Sequence, residues 1–247
     1  MTQPQSQVNR VANISNLDLV AVAAEKLLSR VDGLPGIGVM YGEAGRGKTI
    51  ACSALANQTR GYYVQMRSAW SRKTLLEKIL FEMGIKPSGT IPHLLDQVCE
   101  QIAASRRPLI VDEFDFCLRS DGLVELVRDI YEGSQGTLLL VGEETIPQKL
   151  KRWERFHSRV MAWIPALPVS LDDARKLSPI YCPQVDIAED LLARVVELSH
   201  GSVRRVCVNL TRVHEEAMML AESEMTLAKW GDRDLYTGDA PKRRGAI

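Results

Sequence analysis

The chain has 247 residues, enough for one large α/β core and a small appended domain. Its 31 basic residues balance its 31 acidic ones, which excludes a nucleic-acid partner held by global charge and leaves any such surface local. No apolar stretch approaches a membrane span, Met1-Thr2-Gln3-Pro4-Gln5 lacks the regions of a secretory signal, and the five scattered cysteines, with no C-x-x-C pair, read as reduced core residues of a cytosolic protein.

Residues 1–15 are polar and are expected to form a flexible N-terminus. Leu17, Val20, Ala24, Leu27 and Val31 then recur at helical spacing behind a candidate capping box of Ser15 and Asp18. The apolar run Ile37-Gly38-Val39-Met40-Tyr41 predicts a strand that delivers the chain to Gly42-Glu43-Ala44-Gly45-Arg46-Gly47-Lys48-Thr49, a match to G-x-x-x-x-G-K-S/T. In that context the stretch is a phosphate-binding loop. Its backbone N–H groups and the positive end of a helix starting near Lys48 face one anion. Lys48 is placed to reach the β- and γ-phosphates and Thr49 to offer a hydroxyl to Mg²⁺.

A second strand is expected at Tyr62–Met66, followed by helices from Arg72 to Met83 and from Ile91 to Ala104. Pro108-Leu109-Ile110-Val111-Asp112-Glu113 reads as a buried parallel strand presenting carboxylates at its C-terminal end, where ligands bind in open α/β sheets. Asp112 is the candidate Mg²⁺ residue, acting through the ion's water shell, and Glu113 the candidate base that orients and deprotonates the attacking water. Either motif alone has a plainer alternative, a glycine-rich turn or a solvated acidic turn; the two in this order point to a nucleoside triphosphate and its hydrolysis. A helix over Leu123–Tyr131 and a strand over Thr137–Val141 complete an alternation that implies an α/β fold, a parallel sheet with helices on both faces.

The α/β core is expected to run over 16–165 and to give way to an all-helical domain over 166–230 with no convincing strand. Ser170 to Asp173 offers a capping box, Leu191, Leu192, Val195 and Leu198 give one apolar helical face, and Val203, Val206, Leu210, Val213, Ala217 and Leu220 give a longer one. Residues 231–247 are polar, end in Lys242-Arg243-Arg244 and are expected to be a mobile tail. The four histidines show no metal-ligand spacing, and no Ser-His-Asp or Cys-His arrangement is suggested.

A P-loop NTPase core followed by a compact helical lid resembles the AAA+ ATPases, and three further stretches carry the resemblance. Val141-Gly142-Glu143-Glu144-Thr145 closes the strand beside the Asp-Glu strand, where the family places an Asn or Thr that senses the γ-phosphate; Glu143 departs from that pattern. Trp153-Glu154-Arg155-Phe156-His157-Ser158-Arg159-Val160 resembles the segment bearing the arginine finger, with Arg159 and Arg155 as candidates that would share a helix face, or else pair with nearby acids. Gly201-Ser202-Val203-Arg204-Arg205 is similar to the start of the lid helix whose arginine touches the nucleotide, matching Arg204, with Arg205 as the alternative. The resemblance implies ATP and Mg²⁺ as cofactors, ATP hydrolysis, and a site completed by a neighbouring subunit.

Within that family the chain resembles the transposition ATPases, which include the B protein of Mu-like transposable phages and related transposon regulators. Such proteins coat duplex DNA as ATP-bound filaments, choose the target site and stimulate a transposase. The resemblance implies those partners and a cytoplasmic location, in the host cell if phage-encoded. The motifs fit replication initiators and helicase loaders as well, or a nucleotide switch that touches only protein. Too few residues precede the phosphate loop for the helix-turn-helix module of the phage Mu protein, so DNA binding is expected of the ATPase itself. Arg67, Arg72 and Lys73, flanking Ser68-Ala69-Trp70-Ser71, are the candidate phosphate contacts; the alternative is a solvated loop with Trp70 capping the core.

Overall fold

The computed structural model describes residues 12–239. It divides into an α/β unit, Asn16–Ala44 with Lys48–Ala166, and a helical unit that takes in residues 12–15, Gly45–Gly47 and 167–239.

The α/β unit runs α1 (Ser15–Leu28), β1 (Ile37–Tyr41), α2 (Lys48–Thr59), β2 (Tyr62–Gln65), α3 (Arg72–Glu82), α4 (Ile91–Ser105), β3 (Leu109–Asp112), α5 (Asp121–Ser134), β4 (Leu138–Gly142), α6 (Ile146–Leu150), α7 (Glu154–His157) and β5 (Val160–Pro165). The strands are parallel in the order β2-β3-β4-β1-β5. Because side chains alternate along a strand, successive residues serve opposite layers. Val39, Val64, Leu109, Val111, Leu138 and Leu140 meet Leu75, Ile79, Val98, Ile102, Val124 and Val127 of α3, α4 and α5. Met40, Ile110, Leu139 and Val141 meet Leu17, Val20, Ala51 and Leu55 of α1 and α2. Apolar residues at consecutive positions of β3 and β4 thus fill both layers, each contributing about 1.5–3 kcal/mol of burial. This is the three-layer P-loop arrangement.

The helical unit holds α8 (Leu171–Tyr181), β6 (Asp186–Ile187), α9 (Glu189–Leu198), α10 (Val203–Leu220), β7 (Glu224–Met225) and α11 (Leu227–Trp230). Ala174, Leu177, Leu191, Val195, Val206, Leu210, Val213 and Trp230 form its core. The Ser170–Asp173 capping box is present.

Four expectations are corrected here. The unit is not free of strands, since β6 and β7 pair over two residues; runs that short carry no readable period. Of the expected flexible N-terminus, residues 1–11 lie outside the described residues, while Ile14 is packed in the helical core with Ala12 against it. Ser15 does not form a box with Asp18: its N–H and hydroxyl donate to Asp173 Oδ1 at 2.7 and 2.9 Å. The segment after α11 is held as well. Asn209, fully buried on α10, donates to Tyr236 O at 3.0 Å and accepts its N–H at 2.7 Å. A buried amide requires such partners, and the polar segment supplies them. Lys242-Arg243-Arg244 lies outside the described residues.

Candidate nucleotide site

The chain leaves β1 at Tyr41 and turns through the glycine-rich loop before α2 begins at Lys48. Gly45 and Gly47 each have φ of +83°, the left-handed region that a Cβ disfavours. The Lys48 ammonium folds back over the loop, donating to the carbonyls of Gly42 at 2.6 Å and Glu43 at 2.8 Å. Thr49, in the first turn of α2, is exposed.

Asp112 ends β3 and is only 2% exposed. Its Oδ2 accepts the Tyr63 hydroxyl at 2.7 Å and its Oδ1 the Glu113 N–H at 2.8 Å. Glu113 departs from the strand in the left-handed region, φ 54°, and starts a 3₁₀ turn over Phe114–Arg119. Burial lowers the Lys48 ammonium while Asp112 and Glu113 pull it back up. Burial raises the Glu113 carboxyl above its ordinary value, reinforced by the charges of Asp112 and Asp115.

These donors fit Mg²⁺. Each Asp112 oxygen accepts a single hydrogen bond in the structure and keeps capacity for a metal-bound water, and Thr49 adds a hydroxyl, an all-oxygen set suited to a hard cation. Among the described residues no three or more His, Cys, Asp or Glu form a metal cage, so an ion here depends on waters and phosphate oxygens.

Residues 31–150 match the family model of the AAA domain. The chain has the P-loop AAA+ fold. It is similar to the Aeropyrum pernix ORC2 protein solved as ADPNP-ADP complexes, with 18% identity and a TM-score of 0.64 over 88% of this chain and 67% of that one. It is similar to the Aeropyrum pernix ORC1 protein in complex with DNA, with 18% identity and a TM-score of 0.61 over 90% and 64%. The Thermotoga maritima RuvB Holliday junction branch migration motor matches at 16% identity and a TM-score of 0.58 over 86% and 65%. No curated protein sequence matches.

On the AAA+ core, Glu143 follows β4 with its side chain exposed, and its N–H donates to Asp115 Oδ2 at 2.7 Å. Arg155 and Arg159 do not share a helix face, because α7 covers only Glu154–His157. They nevertheless line one depression of roughly 520 Å³ with Arg128, Asp129, Glu132 and Ser158. Fully buried Phe156, stacked on Phe114 at 5.9 Å, anchors the segment. Arg159 Nε donates to Glu132 at 2.7 Å, and its carbonyl accepts the Ile37 N–H at 3.3 Å. Arg159 therefore stands at the start of β1, while Asp112 stands at the end of β3. In a parallel sheet those are opposite edges, separated by roughly 15 Å of strand.

In the helical unit, Ser202 caps α10 and Arg204 is exposed on its first turn, with its N–H donating to Gly45 O at 3.4 Å. Arg205 turns inward and donates to Ser199 O at 3.4 Å. Of the two, Arg204 is the more exposed. Arg46 Nη1 donates to Gly201 O at 2.8 Å. Arg67, Arg72 and Lys73 are exposed around the segment after edge strand β2, with Trp70 half-buried against the core. Lys73 also faces Glu77 at 3.8 Å.

Two further residues sit at this site. Tyr63 stands in the expected second strand with no role assigned to it, and Asp115 is not singled out by either motif. The Asp-Glu-Phe-Asp spacing was visible, but the turn that aims Asp115 across to β4 was not.

Proposed function

We propose that the protein is a Mg²⁺-dependent ATPase that assembles head to tail on duplex DNA under the control of its nucleotide state. The observation that carries the reading is the pairing of a lysine-bearing phosphate loop after β1 with a buried Asp112 and an adjacent Glu113 after β3. Loop N–H groups and Lys48 bind the phosphates, Glu113 orients a water and accepts its proton, and Thr49 with Asp112 would hold Mg²⁺. A Mg²⁺ held there would supply positive charge to the bound phosphates. A guanidinium is suited to the charge that spreads over the transferred group. Arg159 cannot supply it in its own subunit from the far edge of the sheet, which supports donation to a neighbour. Arg204 would contact nucleotide within its own subunit, and Arg67, Arg72 and Lys73 would neutralise DNA phosphates.

The specific form we propose, from the sequence resemblance, is a regulator of transposition that selects target DNA and stimulates a transposase. The fold likeness to ORC proteins favours a second form, an initiator or helicase loader. The first form predicts ATP-dependent duplex binding with little sequence preference, whereas the second predicts binding confined to a helicase partner. A salt-titrated mobility assay on two unrelated duplexes, with phosphate release followed in parallel, tests the first reading. Binding should need ATP, weaken steeply with salt, and persist longer in Glu113→Gln, which holds ATP but does not turn it over. Absence of DNA affinity at low salt removes the DNA reading, and normal turnover in Glu113→Gln removes the assigned base. Stimulation of a transposase rather than retention of a replicative helicase separates the two forms.

A further inference from the structure

The backbone ladder between β3 and β4 runs through Leu109↔Leu138, Ile110↔Leu139 and Val111↔Leu140 and goes no further. The two strands thus lose their main-chain pairing just before the acids. Asp115 takes over at that level. The 3₁₀ turn, pinned by fully buried Phe114 and Cys117, places Asp115 so that Oδ2 accepts the Glu143 N–H at 2.7 Å and Oδ1 accepts Lys149 Nζ at 3.4 Å. Its side chain is only 10% exposed. Gly142 makes room for it, since a Cβ there would sit 2.1 Å from Asp115 Oδ2.

We propose that Asp115 is a positioning residue for hydrolysis: its carboxylate is the rung that joins the end of β4 to the turn carrying Glu113, holding the base in register with the strand beside it. The inference rests on the ATPase reading and deepens it. Asp115 touches neither nucleotide nor water in this role; it fixes the backbone from which Glu113 projects. Displacement of a catalytic group by about 1 Å costs on the order of a hundredfold in rate, so loss of the rung should lower kcat while leaving phosphate-loop binding alone.

The test uses the full chain, a fluorescent ATP analogue for affinity and phosphate release for turnover. Asp115→Ala should keep nucleotide affinity within about threefold and lose roughly a hundredfold in kcat. Asp115→Asn retains an acceptor oxygen for the Glu143 N–H and should recover most of that loss. Gly142→Ala, which intrudes on the carboxylate from the other side, should reproduce the Asp115→Ala defect, and the double variant should be no worse than either single one. Unchanged kcat in Asp115→Ala overturns the proposal. If Asp115→Ala fails to fold, the other variants decide: full activity in Gly142→Ala, or an Asp115→Asn loss as large as that of Gly142→Ala, overturns it. A wild-type chain that binds and splits no ATP overturns the underlying ATPase reading instead, and that outcome is visible before any variant is made.

Discussion

Lys48 and Glu113 share one set of charges, and their shifts run toward each other. Burial lowers the lysine and raises the glutamate, while each draws the other toward its charged form. Hydrolysis needs Glu113 ionised and Lys48 protonated. The kcat/KM profile should therefore rise through a Glu113 pKa above its ordinary value and fall on the alkaline side below the 10.5 of a free lysine, measurable by phosphate release across pH. Lys48→Ala should weaken ATP binding by about 2–3 kcal/mol, roughly 30- to 150-fold, in equilibrium titration. The two motifs were legible because each is contiguous and lies where a strand ends. Tyr63 and Asp115 act across strands, on Asp112 and on the Glu143 N–H, and a linear pattern carries no record of which strand ends lie side by side.

The long elements were legible for a related reason. β3 and β4 are buried on both faces and read as unbroken apolar runs, and α10 repeats its apolar positions over eighteen residues. Where an element is short or its partner is backbone, the pattern fails. β6 and β7 have two residues each, and the Tyr236 segment is held by one buried amide rather than by apolar side chains. Asn209→Ala should strip Tyr236 N–H and O of that partner and cost about 1–3 kcal/mol. Thermal unfolding would measure the loss, and limited proteolysis should cut near Tyr236 faster than in the wild type. Equal melting temperatures and equal cleavage would show that the bond contributes nothing.

Placement of Arg159 and Asp112 at opposite edges of one sheet shapes the proposed assembly. Arg159→Ala should abolish hydrolysis with ATP affinity nearly intact, and mixing it with Lys48→Ala subunits should restore part of the activity, since one contributes a phosphate loop and the other a guanidinium. An ATPase equally active at high dilution and indifferent to mixing would refute the shared site, and Arg155→Ala serves as the control for the neighbouring guanidinium. Glu132 holds Arg159 at 2.7 Å in the isolated chain, an exposed pair worth about 0.2–1 kcal/mol that a triphosphate can outbid. A surface that gives at one edge and receives at the other joins unlike faces, so copies cannot close as a twofold dimer; they add head to tail, into a ring or an open stack. An open stack of n copies then contains n − 1 finished sites. One terminal subunit keeps an ATP it cannot split, and the other offers an arginine to no one. Turnover per subunit then climbs with stack length, and the two open ends differ in chemistry although either can take another copy.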